Sequence, residues 1–152
     1  MQKLQFLNAK EIKEIKKKIL EQWGCDFKTD FAFVLSSKNR IYLISRDIEK
    51  LDFEKLPISN AGVYFGEIET NGELRLSIEG SQMIGECSKK NIVELSKEQM
   101  RIWLKGNDLE IGTKEKGFVI LKYGDDYLGT GKVKENKILN FVPKTRRILA
   151  DD

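Results

Sequence analysis

The residues that could carry chemistry in this 152-residue chain are few, because histidine is absent. Its absence excludes the Ser-His-Asp and Cys-His catalytic sets and every metal site built on imidazole. Two cysteines are too few for a zinc site of four thiolates. The carboxylate pairs Asp125-Asp126 and Asp151-Asp152 are adjacent residues, whose side chains point apart and are solvated on turns. We therefore expect no catalytic residue, no metal, no cofactor and no enzymatic activity.

A short glycine signature, Gly129-Thr-Gly131, resembles part of a nucleotide-binding loop. Such a loop needs a strand, a glycine turn and then a helix whose amino terminus meets the phosphate. A charged strand pattern follows here instead, so a mononucleotide site is not indicated. Two interpretations remain: close backbone packing at a bend in a sheet, or a surface without side chains that RNA can approach.

Positive charge is concentrated in the carboxyl-terminal part of the chain. The whole chain has a net charge of +3, whereas residues 129–150 contain six lysines and arginines and a single glutamate. Neutralising phosphates gives affinity for nucleic acid of any sequence, and the nearby aromatics Tyr127 and Phe141 offer stacking to unpaired bases. The cations are Lys132, Lys134, Lys137, Lys144, Arg146 and Arg147.

The first half of the sequence predicts helices and hairpins that alternate. Residues 8–23 have the apolar spacing of an amphipathic helix, with Asn8 and Glu11 as a capping box and Gly24 as the terminating residue. Two β-rich runs at 31–35 and 41–45 predict a hairpin, and Asn71-Gly72 marks a second one between 62–70 and 73–77. Short helices are predicted at 48–56 and 78–87.

The second half begins with a short strand at 91–95 and a helix over 97–105, capped by Ser96 and ended by Gly106. Met100 and Trp103 lie on one side of this helix, which indicates core residues rather than platforms for bases. Three strands are then predicted at 117–123, 127–134 and 138–142, an arrangement typical of a small barrel or curled sheet.

These elements form two modules, residues 1–89 and 91–152, and the fold class is α+β. The first module is a small α+β layer and the second is a β-barrel. No linker rich in glycine and serine separates them around residues 88–91. Because such a short connection leaves little slack, we expect the modules to pack on each other through an apolar interface.

The second module resembles a PUA domain, an RNA-binding barrel, over about residues 91–149. The resemblance rests on three features: a helix that ends in a glycine loop, Lys105-Gly106; a buried strand after Lys116-Gly117; and the strand Leu128-Gly-Thr-Gly131. In PUA domains the helix–loop and this strand border the RNA-binding cleft. The resemblance therefore implies RNA contact by Lys105, Gly106, Gly129, Gly131, Lys132 and Lys134.

The segment Asn140-Phe-Val-Pro-Lys-Thr-Arg-Arg147 resembles the RNA-binding tail of the Sun-family RNA cytosine-5 methyltransferases. It implies RNA contact by Lys144, Arg146 and Arg147. The family usually has a lysine before the asparagine, and this chain has Leu139. Because neither cysteine adjoins a proline and no methyl-donor domain fits in the chain, we do not expect the methyltransferase activity itself.

The layout of both modules also resembles that of the small archaeal and eukaryotic assembly factor of the large ribosomal subunit, whose first domain is called pre-PUA. The matching segments are the apolar strand patterns at 40–45, 62–68, 73–78 and 91–93. These resemblances imply a non-catalytic RNA-binding accessory protein in ribosome maturation or RNA modification, with an rRNA precursor or a tRNA as partner. The alternative is a protein-interaction module that docks an RNA cytosine-5 methyltransferase or a pre-ribosomal protein.

Cysteine usage and hydropathy predict a cytoplasmic protein. Cys25 and Cys87 are interpreted as small apolar fillers in a reducing compartment. The longest apolar runs, such as 31–35, are far shorter than the roughly 20 residues that span a bilayer. We therefore expect a protein that is neither secreted nor embedded in a membrane.

Overall fold

The computed structural model describes residues 4–45 and 62–148. The predicted helix at 48–56 lies outside these residues. The first module contains β1 (Leu4–Phe6), α1 (Ala9–Trp23), β2 (Ala32–Ser36), β3 (Arg40–Ile44), β4 (Gly62–Ile68), β5 (Leu74–Leu76) and α2 (Ile78–Ile84). The second contains β6 (Ile92–Glu94), α3 (Lys97–Leu104), β7 (Phe118–Tyr123), β8 (Asp126–Lys134), β9 (Lys137–Leu139) and a 3-10 helix (Lys144–Arg146).

The start and end of α1 are fixed by local sequence, as predicted. The Asn8 side chain accepts a hydrogen bond from the Glu11 backbone N–H at 2.9 Å, and the Glu11 carboxylate accepts from the Asn8 N–H at 3.0 Å. Gly24 closes the helix with φ of 69°, a left-handed conformation that costs glycine little. The buried face of the helix comprises Ile15, Ile19 and Trp23.

The first sheet has the strand order β1-β2-β3-β4-β5, and every pairing in it is antiparallel. Both predicted hairpins are confirmed, with Asn39 and Gly72 taking positive φ in their turns. In the second turn Asn71 keeps negative φ and acts through its side chain, which accepts from the Glu73 N–H at 2.9 Å. One face of this sheet packs on α1 through Phe33 and Phe65.

The second sheet has the order β6-β7-β8-β9, with β6 parallel to β7 and the other pairs antiparallel. Helix α3 covers it through Trp103, which is fully buried and donates its indole N–H to the Leu128 carbonyl at 2.9 Å. Trp103 is thus a core residue, as predicted. Beside β9, Leu109 forms a single bridge to Ile138 and extends the sheet edge.

The core of the first module extends into the second, which also has a buried cluster of its own around Trp103. Phe118 and Ile120 of β7 belong to the same buried cluster as Ile19 and Trp23 of α1. The Trp23 indole N–H donates to the Phe118 carbonyl at 3.1 Å, which ties α1 to the second sheet. The expected apolar contact between the modules is therefore present. The two sheets lie on either side of residue 90 in the sequence, but the elements that carry them pack against each other.

Cys25 and Cys87 form a disulfide, which corrects the interpretation of both residues as apolar fillers. Their Cα atoms lie 5.2 Å apart although 62 positions separate them in sequence. Gly24 turns the chain after α1, and the Lys89 backbone N–H donates to the Trp23 carbonyl at 2.8 Å, so the two segments meet. Because the two cysteines are paired, their small number no longer indicates a reducing compartment.

Within 4–45 and 62–148, no helix combines the length and the apolar character needed to cross a bilayer.

Candidate nucleic-acid interface

A groove of about 760 Å³ lies between the outer face of the first sheet and the second module. Strands β3, β4 and β5 form one wall, and β8 with the segment that follows β9 forms the other. Arginine and aromatic residues line both walls, together with apolar and small polar residues. They include Arg40, Tyr42, Tyr64, Arg75, Phe141 and Arg146.

Two tyrosines form the aromatic part of the first wall. Tyr42 and Tyr64 are directly paired on β3 and β4, and their ring centroids are 5.6 Å apart with the planes tilted by 43°. The Arg40 guanidinium lies 5.9 Å from the Tyr64 centroid. Burial raises the pKa of Tyr64, so its phenol stays protonated at neutral pH and keeps a hydroxyl donor.

Arg75 connects the two walls. Its Nη2 donates to Glu67 Oε2 at 2.9 Å and its Nε donates to Glu69 Oε1 at 2.7 Å. Its Cζ lies 4.6 Å from the Phe141 ring centroid, a cation–π contact with the second module. Burial lowers the pKa of Arg75, but the hydrogen bonds to the two carboxylates outweigh it and leave the pKa above its usual value.

The charges of this groove are nearly balanced. Arg40 and Arg75 share Glu67, whose Oε1 is 3.5 Å from Arg40 Nε. Arg146 reaches back from the 3-10 helix to Glu79 Oε1 at 2.5 Å. Because each arginine has a carboxylate partner, the groove offers flat polar and aromatic surfaces more than free positive charge.

Arg147 packs against Gly106, one of the residues predicted to contact RNA. Gly106 has φ of 92°, and a Cβ there would lie 2.3 Å from Arg147 Nε. Arg147 Nε donates to the Val142 carbonyl at 3.0 Å, and the Ile148 N–H donates to the Leu104 carbonyl at 2.8 Å. Arg147 therefore fastens the segment after β9 onto the end of α3, so its guanidinium is engaged within the protein.

Gly129 and Gly131 are buried in the packing of β8, although Gly129 also lines the groove, and their predicted contact with RNA stays a prediction. The Gly129 N–H donates to Ser81 Oγ at 2.8 Å. A Cβ on Gly131 would lie 2.5 Å from Ile138 Cγ2 and 2.6 Å from Trp103 Cη2. These glycines let β8 pack closely on its neighbours, which is the first of the two interpretations given above.

The predicted lysines differ in their surroundings. Lys134 and Lys144 are exposed, on β8 and on the 3-10 helix. Lys132 is partly buried, with Nζ 5.5 Å from the Phe118 ring centroid. Lys105, at the end of α3, is also partly buried. Exposed lysines are thus present on β8 and on the segment after β9. Their contact with RNA stays a prediction.

Asn140 positions the segment after β9, a role that the sequence reasoning missed. Its Nδ2 donates to the carbonyls of Trp103 and Asn107, both at 2.8 Å. Its Oδ1 accepts from the Val142 N–H at 2.7 Å. The side chain therefore joins the end of α3 to the basic segment, and an asparagine directly before Phe-Val-Pro was the signal for it.

Replacing Asn140 by alanine is expected to lower the free energy of unfolding by about 2 kcal/mol, because three backbone groups lose a partner and two of the three hydrogen bonds are partly buried. Urea unfolding followed by circular dichroism measures the change. Asn140→Asp is the matched variant: it retains the acceptor for Val142 but turns a carboxylate oxygen towards the carbonyls of Trp103 and Asn107, so it should be at least as destabilised as Asn140→Ala. A stability of Asn140→Ala equal to that of the parent would contradict the assigned role.

Comparison with known proteins agrees with both modules. Residues 4–78 match the family model described as the NIP7/UPF0113 pre-PUA domain, and residues 90–148 match the one described as the Methyltransferase RsmF PUA domain. The chain is a pre-PUA domain followed by a PUA domain. The resemblance and the α+β class expected from the sequence are thus confirmed.

Several curated relatives are similar to nearly the whole pre-PUA and PUA pair. The ribosomal RNA small subunit methyltransferase F of Vibrio cholerae serotype O1 (strain M66-2) is 28% identical over 136 residues, which are 89% of this chain. The protein of the same name from Shewanella sp. (strain MR-4) is 26% identical over 141 residues, 90% of this chain. The chain spans 28% and 29% of the lengths of these two relatives.

Proposed function

We propose that this pre-PUA and PUA pair binds RNA without catalysis and acts as an accessory factor in rRNA maturation. The observation that carries the proposal is the PUA domain, which presents exposed lysines on β8 and on the segment after β9, where Lys144 is flanked by residues of the groove. Lysines neutralise phosphates, and aromatic faces stack on unpaired bases. The relatives that contain a similar pair are named as methyltransferases of ribosomal RNA, which supports rRNA as the substrate class.

The side chains of the groove support binding rather than reaction. Its arginines are paired with carboxylates, and burial raises the pKa of the Tyr64 phenol, which therefore stays protonated near neutral pH. Cys25 and Cys87 are joined to each other, so neither is a free nucleophile. The proposed role therefore needs no cofactor and no metal.

A second candidate function is docking of a protein partner. The relatives carry a region similar to this pair inside a much longer methyltransferase chain. An RNA cytosine-5 methyltransferase or a pre-ribosomal protein that meets this pair as a separate chain would reproduce that arrangement.

We also propose that the bound RNA is an rRNA precursor or a tRNA. The proposed site of action is the cytoplasm.

Replacing Lys132, Lys134 and Lys144 together by alanine is expected to weaken binding of single-stranded RNA severalfold. The log–log slope of affinity against salt should fall by up to about 2, since each phosphate contact on a single strand contributes about 0.7. Fluorescence anisotropy with a labelled RNA of about 12 nucleotides, repeated at several salt concentrations, measures both quantities. Arg146 and Arg147 are left unchanged, because their guanidinium groups donate hydrogen bonds to Glu79 and to the Val142 carbonyl.

The matched control removes the same charge from Lys10, Lys13 and Lys17, which are exposed on α1. It should leave affinity and slope close to those of the parent. Equal losses in the two triple variants would contradict a localised RNA surface. Tight, salt-insensitive binding of a methyltransferase by a chain that does not bind RNA would favour the second candidate.

A further inference from the structure

We propose that the groove between the two sheets holds an unpaired base of the bound RNA, stacked at the tyrosine pair of the pre-PUA domain. The proposal rests on the proposed RNA-binding function and deepens it, because it adds a contact site in the first module. Every residue implied by the sequence resemblance lies in the second module. The new site consists of Tyr42, Tyr64 and Arg40 on the first wall, with Arg75 and Phe141 between the walls.

The size and position of the groove fit such a ligand. Its volume of about 760 Å³ falls within the range of roughly 300–1,000 Å³ that small ligands occupy in proteins. The wall that carries Tyr42 and Tyr64 belongs to the sheet face opposite α1, and both rings are partly exposed there. The other wall includes Pro143 and Thr145, which flank Lys144. Lys144 is therefore adjacent in sequence to two residues of the groove, where it can contact a phosphate of a nucleotide whose base enters the groove.

The charge pattern distinguishes a base from a phosphate as the occupant. Glu67 and Glu69 neutralise Arg75, and Glu67 also faces Arg40, so a free phosphate gains little inside the groove. A neutral base gains stacking on the tyrosine rings and hydrogen bonds from the phenol hydroxyls. The charges of the protein therefore suit an RNA whose uncharged base lies inside the groove and whose phosphates contact the exposed lysines outside it.

The fixed orientation of Arg75 adds to the same argument. Its Nε and Nη2 are held by two carboxylates, and its plane is held near the Phe141 ring. A guanidinium anchored in this way loses little rotamer entropy when a base edge accepts from it or stacks on it. Arg75 lies on β5, next to the strand of Tyr64 in the same wall, and its contact with Phe141 brings the guanidinium to the second wall.

The test uses the whole chain with Tyr64→Leu and Tyr64→Phe. Tyr64→Leu removes the ring and should weaken binding of a single-stranded RNA about tenfold, the loss of one stacked base. It should leave the salt slope unchanged, because stacking releases no counterions. Tyr64→Phe keeps the ring and should bind within about twofold of the parent if stacking dominates. Tyr123→Leu, on β7 of the other sheet, is the matched control and should bind like the parent.

The possible outcomes separate this inference from the function on which it rests. If the parent chain itself binds no RNA, the proposed function fails and the inference fails with it. If the parent binds and Tyr64→Leu, folded by circular dichroism, binds equally well, the inference alone is overturned. A weaker Tyr64→Leu with a lowered salt slope would also overturn it, since phosphate contacts would then be the cause. Should Tyr64→Leu not fold, Tyr42→Leu takes its place with the same expectations.

Discussion

Replacing Gly131 by valine is expected to lower the free energy of unfolding by about 3 kcal/mol, the upper end of the usual cost of overpacking a core. A Cβ at this position would lie 2.5 Å from Ile138 Cγ2, 2.6 Å from Trp103 Cη2 and 2.8 Å from the Leu139 carbonyl oxygen. Two of these neighbours are fully buried, so they have little space into which to move. Urea unfolding monitored by circular dichroism gives the measurement.

Gly112→Val is the matched control, because a Cβ there has no neighbour within 4 Å and its φ is not in the left-handed region. It should change the free energy of unfolding by no more than about 0.5 kcal/mol, as is usual for surface positions. If both valine variants are equally stable, β8 does not pack against Trp103 as described. Unfolded Gly131→Val would bind RNA less well for that reason alone. Its RNA affinity must therefore be measured at a temperature where the variant is folded.

Reducing the bond between Cys25 and Cys87 is expected to lower the free energy of unfolding by about 4 kcal/mol on the chain-entropy estimate. The two residues are 62 positions apart, so the bond strongly restricts the unfolded chain. The native contacts around Trp23 should be retained, because its core packing and its hydrogen bond to Phe118 do not involve the sulfurs. Urea unfolding with and without dithiothreitol measures the difference.

A Cys25→Ala, Cys87→Ala double variant provides the control for the reductant. Its stability should resemble that of the reduced parent and should not respond to dithiothreitol. Thiol titration of the denatured parent without reductant should find no free sulfhydryl. Two titratable thiols in that sample would show that the protein exists with the bond open.

Local structure was predictable where short-range physics determines it. Asn8, Glu11 and Gly24 fixed the ends of α1, because a capping box and a left-handed glycine act over one helical turn. Asn71-Gly72 likewise located its hairpin. Ser96 predicted the start of α3, and the structure extends its capping box to Gln99. In each case the partner residues are at most a few positions apart, so the pattern is visible in the sequence.

Properties that depend on contacts between distant segments were not predictable in this way. The sequence Gly-Thr-Gly is the same whether the strand is exposed or packed, and the positions of Ile78, Trp103 and Ile138 in the fold decide between them. The disulfide depends on the direction that the chain takes after Gly24, and no residue near Cys87 in the sequence indicates that it pairs with Cys25. The packing of the strand and the pairing of the cysteines are both determined by tertiary contacts.

The candidate site was predicted in part. Counting charges treats all cations alike, so it could not separate exposed Lys144 from Arg146 and Arg147, which contact Glu79 and Val142. The tyrosine pair was missed because Tyr42 and Tyr64 each fit an ordinary alternating strand. Their juxtaposition arises from the register of β3 and β4, and their place beside Phe141 arises from the packing of the two sheets.

The shared core also governs the order in which the protein folds. Phe118 and Ile120 complete the cluster around Trp23, and the indole hydrogen bond joins residues separated by 95 positions. Closing so long a loop is entropically costly before its contacts form, which slows folding. On the ribosome, α1 and its sheet emerge well before β7, so their apolar surface stays incompletely covered until β7 arrives. The nascent chain therefore passes through an interval of aggregation risk that ends when β7 docks.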